Sequence, residues 1–246
     1  MMKKLLLILL CLPMIGFGQT LIPDANFEEA LINLGYDTGT PNGSVPTANI
    51  STVSNLNVSS GNIADLTGIE DFTALTYLSC SNNPLIVLDL SQNIALDTLF
   101  CLDNLLTSLD VSGATALTWL NCKNNQLTNL DVSNNTALII LDCSSNPLTS
   151  LDVSGATALT WLNCKNNQLT NLDVSNNTAL TTLYCGQSLL TTLDVSQNSA
   201  LTYLQCSNNQ LSTLDVSQNT ALFELICNYN QLITLDVSNN TALTRL

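Results

Sequence analysis

The chain has 246 residues, of which 46% are hydrophobic and only 10% charged. It is long enough to bury a substantial core and too apolar to be intrinsically disordered. Nineteen acidic side chains face five basic ones, a formal net charge of −14, which excludes a nucleic-acid partner, because neutralising phosphates takes clustered Lys and Arg.

Residues 1–18 read as a secretory signal: Lys3 and Lys4, an apolar run over residues 5–17, then the small residues Gly16 and Gly18 ahead of Gln19. Cys11 lies inside this run, but Leu10 precedes it where a lipid-anchoring signal has a small residue, so lipidation is disfavoured. The run spans thirteen residues and no later stretch is longer. That is short of the ~18 of a spanning helix, and no membrane-spanning segment is expected. The sequence therefore points outside the cell, to a secreted or bacterial cell-surface protein.

Residues 19–73 differ in kind from the rest of the chain. Phe27, Ala30, Leu31 and Leu34 form an i, i+3, i+4, i+7 stripe, with Asn26 and Glu29 at capping-box spacing and Gly35 as a stop, predicting one short amphipathic helix. After a loop rich in Gly, Pro and Thr, apolar residues recur at roughly three-residue steps: Ile50, Val53, Leu56, Val58, Ile63, Leu66, Ile69 and Phe72. This segment is expected to be an N-terminal cap over the apolar end of a repeat array.

From Ala74 the sequence repeats every 21 residues, in eight complete units to Thr241, and residues 242–246 begin a ninth. The pattern is A-L-T-x-L-x-C-x-x-N-x-L-x-x-L-D-V-S-x-N-x, and a period of this kind outranks local propensity. Both L-x-C and L-D-V alternate apolar and polar residues, which predicts strands with one buried face. Leu120, Cys122, Leu130 and Val132 should point inward, and Trp119, Asn121, Asp131 and Ser133 outward. Twenty-one residues hold two short extended segments and two turns but no helix of average length. The expected architecture is a β-rich right-handed coil, with a parallel sheet on one side and an extended or 3₁₀ side opposite.

The motif L-x-x-L-x-C-x-x-N-x-L resembles the leucine-rich-repeat family, with Cys where Leu is common, over about two-thirds of the chain. The nested L-D-V-S-x-N-T-A-L-T is similar to short repeats in exported surface proteins of Gram-negative bacteria that use type IX secretion. The resemblance implies a leucine-rich-repeat solenoid with a short helical N-terminal cap. Proteins of that kind often end in a sorting module. Ending at Leu246, the array is expected to be a fragment or to self-associate through its open C-terminal end.

The chemistry open to such a chain is narrow. The absence of histidine removes histidine-based acid–base catalysis, Ser-His-Asp and Cys-His nucleophiles and histidine metal sites. There is no phosphate-binding glycine loop, so no cofactor is expected. Asp142 and Glu224, the two carboxylates at outward positions of the main strand, lie nearly four coils apart. No enzymatic activity is expected. Cysteines 80, 101, 122, 143, 164, 185, 206 and 227 should stack inside as unpaired thiols. Asn83, Asn104, Asn125, Asn146, Asn167, Asn209 and Asn230 form a backbone-bonding column broken at Ser188. The aspartates at 89, 110, 131, 152, 173, 194, 215 and 236 form a ladder whose mutual repulsion calls for hydroxyl and backbone donors or for bound calcium. The serine two residues after each makes the donors the simpler account.

What varies between units carries specificity. The outward position before the second Leu reads Tyr77, Thr98, Trp119, Ile140, Trp161, Thr182, Tyr203 and Glu224, with Phe100 and Tyr184 two residues on in intervening coils. Residues 106–138 are identical to residues 148–180, so duplication accounts for Trp161 but not for Tyr77 or Tyr203. Tyr77, Trp119, Trp161 and Tyr203 should lie in line at steps of roughly 10 Å, twice the strand spacing. Together with Phe100 and Tyr184 they are the candidate ligand-binding residues for an extracellular protein or polysaccharide. A structural spacer displaying another module is the alternative, and a carbohydrate-active enzyme a remote one.

Overall fold

The computed structural model describes residues 18–246. The expected secretory signal lies, but for Gly18, outside the described residues, and Cys11 lies outside them with it. Among the described residues no helix is long and apolar enough to cross a membrane.

Each of the eight complete repeats contributes one three-residue strand, and the segment before them a ninth, to a nine-stranded parallel sheet. The strands are Asn55–Asn57, Tyr77–Ser79, Thr98–Phe100, Trp119–Asn121, Ile140–Asp142, Trp161–Asn163, Thr182–Tyr184, Tyr203–Gln205 and Glu224–Ile226, in chain order across the sheet. The register never slips: Trp119 lies opposite Thr98 and Ile140, and Asp142 opposite Asn121 and Asn163. A fixed unit length imposes this, since one inserted residue would turn every later side chain to the wrong face. The alternation is as the sequence predicts. Leu120, Cys122 and Val132 are fully buried and Leu130 nearly so, in one cluster that runs the length of the array and includes Ile50, Val53, Leu56, Val58, Ile63, Leu66, Ile69 and Phe72.

Pairing continues past each strand: Cys122 N–H donates to Asp142 O at 2.8 Å and Asn124 N–H to Ser144 O at 2.9 Å. The coil then turns through one left-handed residue, with φ between 54° and 57° at Asn82, Asp103, Asn124, Ser145, Asn166, Gln187, Asn208 and Tyr229. Asparagine and aspartate tolerate this region better than most residues. The next residue is the recurring asparagine of the unit. Asn125 Nδ2 donates to the carbonyls of Cys101 and Cys122, both at 3.0 Å, and its Oδ1 accepts Leu106 N–H at 3.0 Å.

On the opposite side, Val87–Asp89 pairs with Ser108–Asp110 and Asn129–Asp131 with Ser150–Asp152. Later coils continue there as extended, irregular backbone. A second asparagine column, at Asn93, Asn135, Asn177, Asn198, Asn219 and Asn240, is buried and reaches back to carbonyls of the preceding coil. Asn135 Nδ2, for example, donates to Val111 O at 3.0 Å and Ala114 O at 2.8 Å. Ala114 and Ala156 interrupt this column, each behind a glycine. A Cβ on Gly113 would fall 1.8 Å from Ser91 O, so this close backbone approach admits only glycine.

The cap departs from expectation in two details. Helix Ala25–Asn33 is capped by Asp24, whose side chain accepts the N–H groups of Asn26 and Phe27, not by Asn26. The carboxylate already stands one residue before the helix, where it reaches the free donors of the first turn. Leu34 is 45% exposed while Glu28 is fully buried. Glu28 Oε1 and Oε2 accept Asn42 N–H and Gly43 N–H, both at 2.7 Å, and these charge-assisted bonds offset the cost of burial. Gly35 ends the helix as predicted, with φ 82°; Tyr36 N–H then reaches back to Leu31 O and Gly35 N–H to Ile32 O, both at 2.9 Å.

Candidate recognition face

The outward residues of the main sheet form three rows along the array, at 119, 121 and 123 in the Trp119 coil and at equivalent positions elsewhere. The six rings expected to form a ligand surface all lie on the first two rows. Trp119 is 42% exposed, and Tyr77, Phe100, Trp161, Tyr184 and Tyr203 are half-buried. They do not stand as isolated posts in a line. Phe100 packs edge-on against Tyr77, with centroids 5.7 Å apart and planes at 88°, and against Trp119 at 4.9 Å and 86°. Tyr184 meets Trp161 at 5.8 Å and Tyr203 at 4.7 Å. A side chain on the second row leans between its neighbours on the first, and edge or offset contact is favoured over isolation. The result is two three-ring clusters, separated by the coil that carries Ile140 and Asp142.

Burial among these rings, then the neighbouring Tyr184 and Glu224, pushes the Tyr203 phenol up to about 12. Glu224 is nearly buried and pairs with Arg245 at 3.0 Å. Asp142 accepts the N–H of Ser144 at 3.0 Å and its hydroxyl at 2.6 Å, both at Oδ1. Asn163 Nδ2 approaches Oδ2 at 3.4 Å. The two outward carboxylates are thus separately held and do not meet.

Beneath this face run the cysteines, free and, but for half-exposed Cys227, buried. Burial pushes the thiols of Cys80, Cys164 and Cys206 up to about 12. It raises Cys101, Cys143 and Cys185 well above the ordinary value, helped by their neighbouring thiols. These groups are packing, not nucleophiles.

On the opposite side each ladder aspartate turns back on its own chain. In every unit Oδ1 accepts the N–H of the serine two residues on, at 2.8 to 2.9 Å, from Asp89 with Ser91 to Asp236 with Ser238. The backbone donors weighed against calcium in the sequence are therefore in place.

No protein-family model matches the chain, and no curated protein does. Among solved structures it is similar to the functional domain of InlJ from Listeria monocytogenes, which includes a cysteine ladder. Identity is 38% and the TM-score 0.71, over 92% of this chain and 56% of that one. The fold is a leucine-rich-repeat solenoid. Internalin C2 from Listeria monocytogenes matches over 92% of this chain and 95% of its own, at 22% identity and a TM-score of 0.63. A plant peptide hormone receptor, RGFR1, solved in complex with RGF2, matches 72% of this chain and 32% of its own, at 24% identity and a TM-score of 0.62. The chain thus spans about half the length of the InlJ domain. Within this solenoid, sequence reasoning missed the buried asparagines at 93, 135, 177, 198, 219 and 240. A recurring Asn shortly before Ala-Leu was the signal that could have found them.

Proposed function

We propose that this leucine-rich-repeat chain is an extracellular binding module, secreted or held at a bacterial surface, that grips a protein or polysaccharide through its nine-stranded sheet face. On this reading residues 1–18 direct export, 19–73 cap the array and 74–246 form it. The observation that carries the proposal is the pair of three-ring clusters, Tyr77 with Phe100 and Trp119, and Trp161 with Tyr184 and Tyr203. Rings already packed on one another lose little freedom on contact and present large apolar area, the attributes of residues that dominate interfaces. The plant receptor solved in complex with RGF2 shares this solenoid fold. Binding is favoured over catalysis because Asp142 and Glu224 lie in separate settings, the latter held by Arg245.

The test is to screen the full chain on arrays of extracellular proteins and glycans, then compare variants on each ligand found. Replacing Trp119 and Trp161 together with Ala should cost at least ~2 kcal/mol of binding. Replacing Thr128 and Thr170, exposed on the other side, should cost nothing. A silent tryptophan pair, or a threonine pair that abolishes binding, would place recognition elsewhere.

A further inference from the structure

The two ring clusters would merge into one rail if a ring stood at position 142. The second-row residue two units earlier is Phe100 and two units later Tyr184, and each bridges two first-row rings. Position 142 instead holds a carboxylate. Strand pairing does not demand it, since Ser79, Asn121 and Gln205 occupy the same row in the same parallel ladder. Trp119 contacts Phe100 and Trp161 contacts Tyr184, each on its side away from the Ile140 coil between them. This leaves a slot floored by Ile140 and Asp142, with indole walls rooted about 10 Å apart, twice the strand spacing.

Two further observations define what fits. Asp142 is oriented by Ser144 through Oδ1, leaving Oδ2 with one long contact, and it belongs to no ion pair, the pair among the described residues being Arg245 with Glu224. On the third row Lys123 and Lys165 flank buried Ser144. With Arg245 they are the basic side chains among the described residues.

We propose that this slot seats an arginine side chain of a protein partner, carried on an extended segment whose acidic side chain two residues away meets Lys123 and Lys165. The proposal rests on the sheet face being the recognition surface. A guanidinium set over Ile140 has an indole on either side to attract its charge, and its planar fork suits a carboxylate. Alternate residues of an extended segment are about 7 Å apart on one face, the same as the separation of the rows at 142 and 144.

Trp119 and Trp161 are the protein's two tryptophans, so fluorescence excited selectively at tryptophan reports on the slot walls. The probe is the capped peptide Leu-Arg-Leu-Asp-Leu, titrated into the full chain beside versions with citrulline for arginine and asparagine for aspartate, and beside tetramethylammonium chloride. The expected result is saturable fluorescence change with the parent peptide. It should weaken at least about tenfold with citrulline or in Asp142→Asn, the scale of one charged hydrogen bond. Lys123→Ala should weaken the parent peptide but not the asparagine version, and Asp131→Asn, on the other side, should do nothing. No saturation with the parent peptide, equal binding by the citrulline version, equal binding by Asp142→Asn, or stronger binding of tetramethylammonium would each overturn the proposal. A ligand from the arrays that is lost with the tryptophan pair yet indifferent to Asp142→Asn would overturn the slot while leaving the recognition face standing.

Discussion

Asp24 Oδ2 accepts the backbone N–H of Ala64 at 2.7 Å, forty residues further along the chain. The same oxygen takes Asp65 N–H at 3.1 Å, while Oδ1 takes Asn26 N–H and Phe27 N–H at 2.9 and 3.0 Å. One carboxylate thereby starts the cap helix and fastens it to the first coil, where Phe27 stacks on Phe72 at 6.3 Å.

Replacing Asp24 with Ala removes a helix cap and leaves two further donors without their acceptor. Caps are worth about 1 kcal/mol and hydrogen bonds to a charged group about 1.5 to 3. The variant should lose at least ~2 kcal/mol in urea denaturation, with the cap losing protease resistance before the array. Asp24→Asn, which can offer one carbonyl oxygen, should fall in between.

A second prediction concerns the thiols. With Cys80, Cys164 and Cys206 pushed up to about 12 by burial, almost no thiolate exists at pH 8 in the folded chain. Iodoacetamide should modify Cys227, the half-exposed member, first and leave the others untouched until the protein unfolds. In guanidinium without reductant all eight repeat thiols should react. Rapid alkylation of Cys143 in the native protein, or missing thiols after denaturation, would count against a buried free ladder.

Much of the fold is legible in the sequence because period is a strong signal. The 21-residue spacing with apolar alternation yields the sheet, its register and the inward cysteines without a tertiary argument. Ring pairing is not, because a sequence gives the row on which Phe100 stands and not the direction it leans. Nor is the burial of Glu28, which depends on the loop at Asn42 and Gly43 folding back to meet it. The second asparagine column escapes because Ser-Asn-Asn and Ser-Gln-Asn read as turn composition, and only the coil stacking buries the last residue.

Acid should weaken the protein in a defined window. The carboxyls of Asp110, Asp131 and Asp173 are held below their usual 3.8 by the following serine's hydroxyl, then its N–H. In Asp194, Asp215 and Asp236 the N–H is the larger cause. A folded-state pKa below the unfolded one means the contribution is fully present above the unfolded value and disappears as pH falls through the folded one. Tm should be level from pH 7 to about 5 and fall below about 4. Asp131→Asn with Asp173→Asn should make that fall shallower, because Asn still accepts the serine N–H but does not titrate. Chelator at pH 7 should leave Tm where it was; a large drop restored by calcium would turn the ladder into a metal site.

The last prediction is a gain. Ser188 stands where the other seven repeats carry an inward asparagine, and its hydroxyl is buried without a hydrogen-bond partner. One coil later Asn209 donates to Cys185 O and Cys206 O, both at 3.0 Å, and accepts Leu190 N–H at 3.0 Å. Equivalent groups surround Ser188 one unit earlier: the carbonyls of Cys164 and Cys185 and the N–H of Leu169. Ser188→Asn places a carboxamide among them with the donors and acceptor its neighbours already use, and its backbone N–H still bonds Asn208 O at 3.3 Å. Net hydrogen bonds contribute roughly 1 kcal/mol each, less the side-chain entropy lost on burial. The variant should therefore be about 1 to 2 kcal/mol more stable in urea, with an unchanged m-value. The reverse change, Asn209→Ser, should lose about 1 to 3 kcal/mol, because it leaves buried backbone groups without their partner. A Ser188→Asn variant no more stable than the parent would mean that the Gly186 and Gln187 turn of this coil holds the backbone where an asparagine cannot reach both carbonyls.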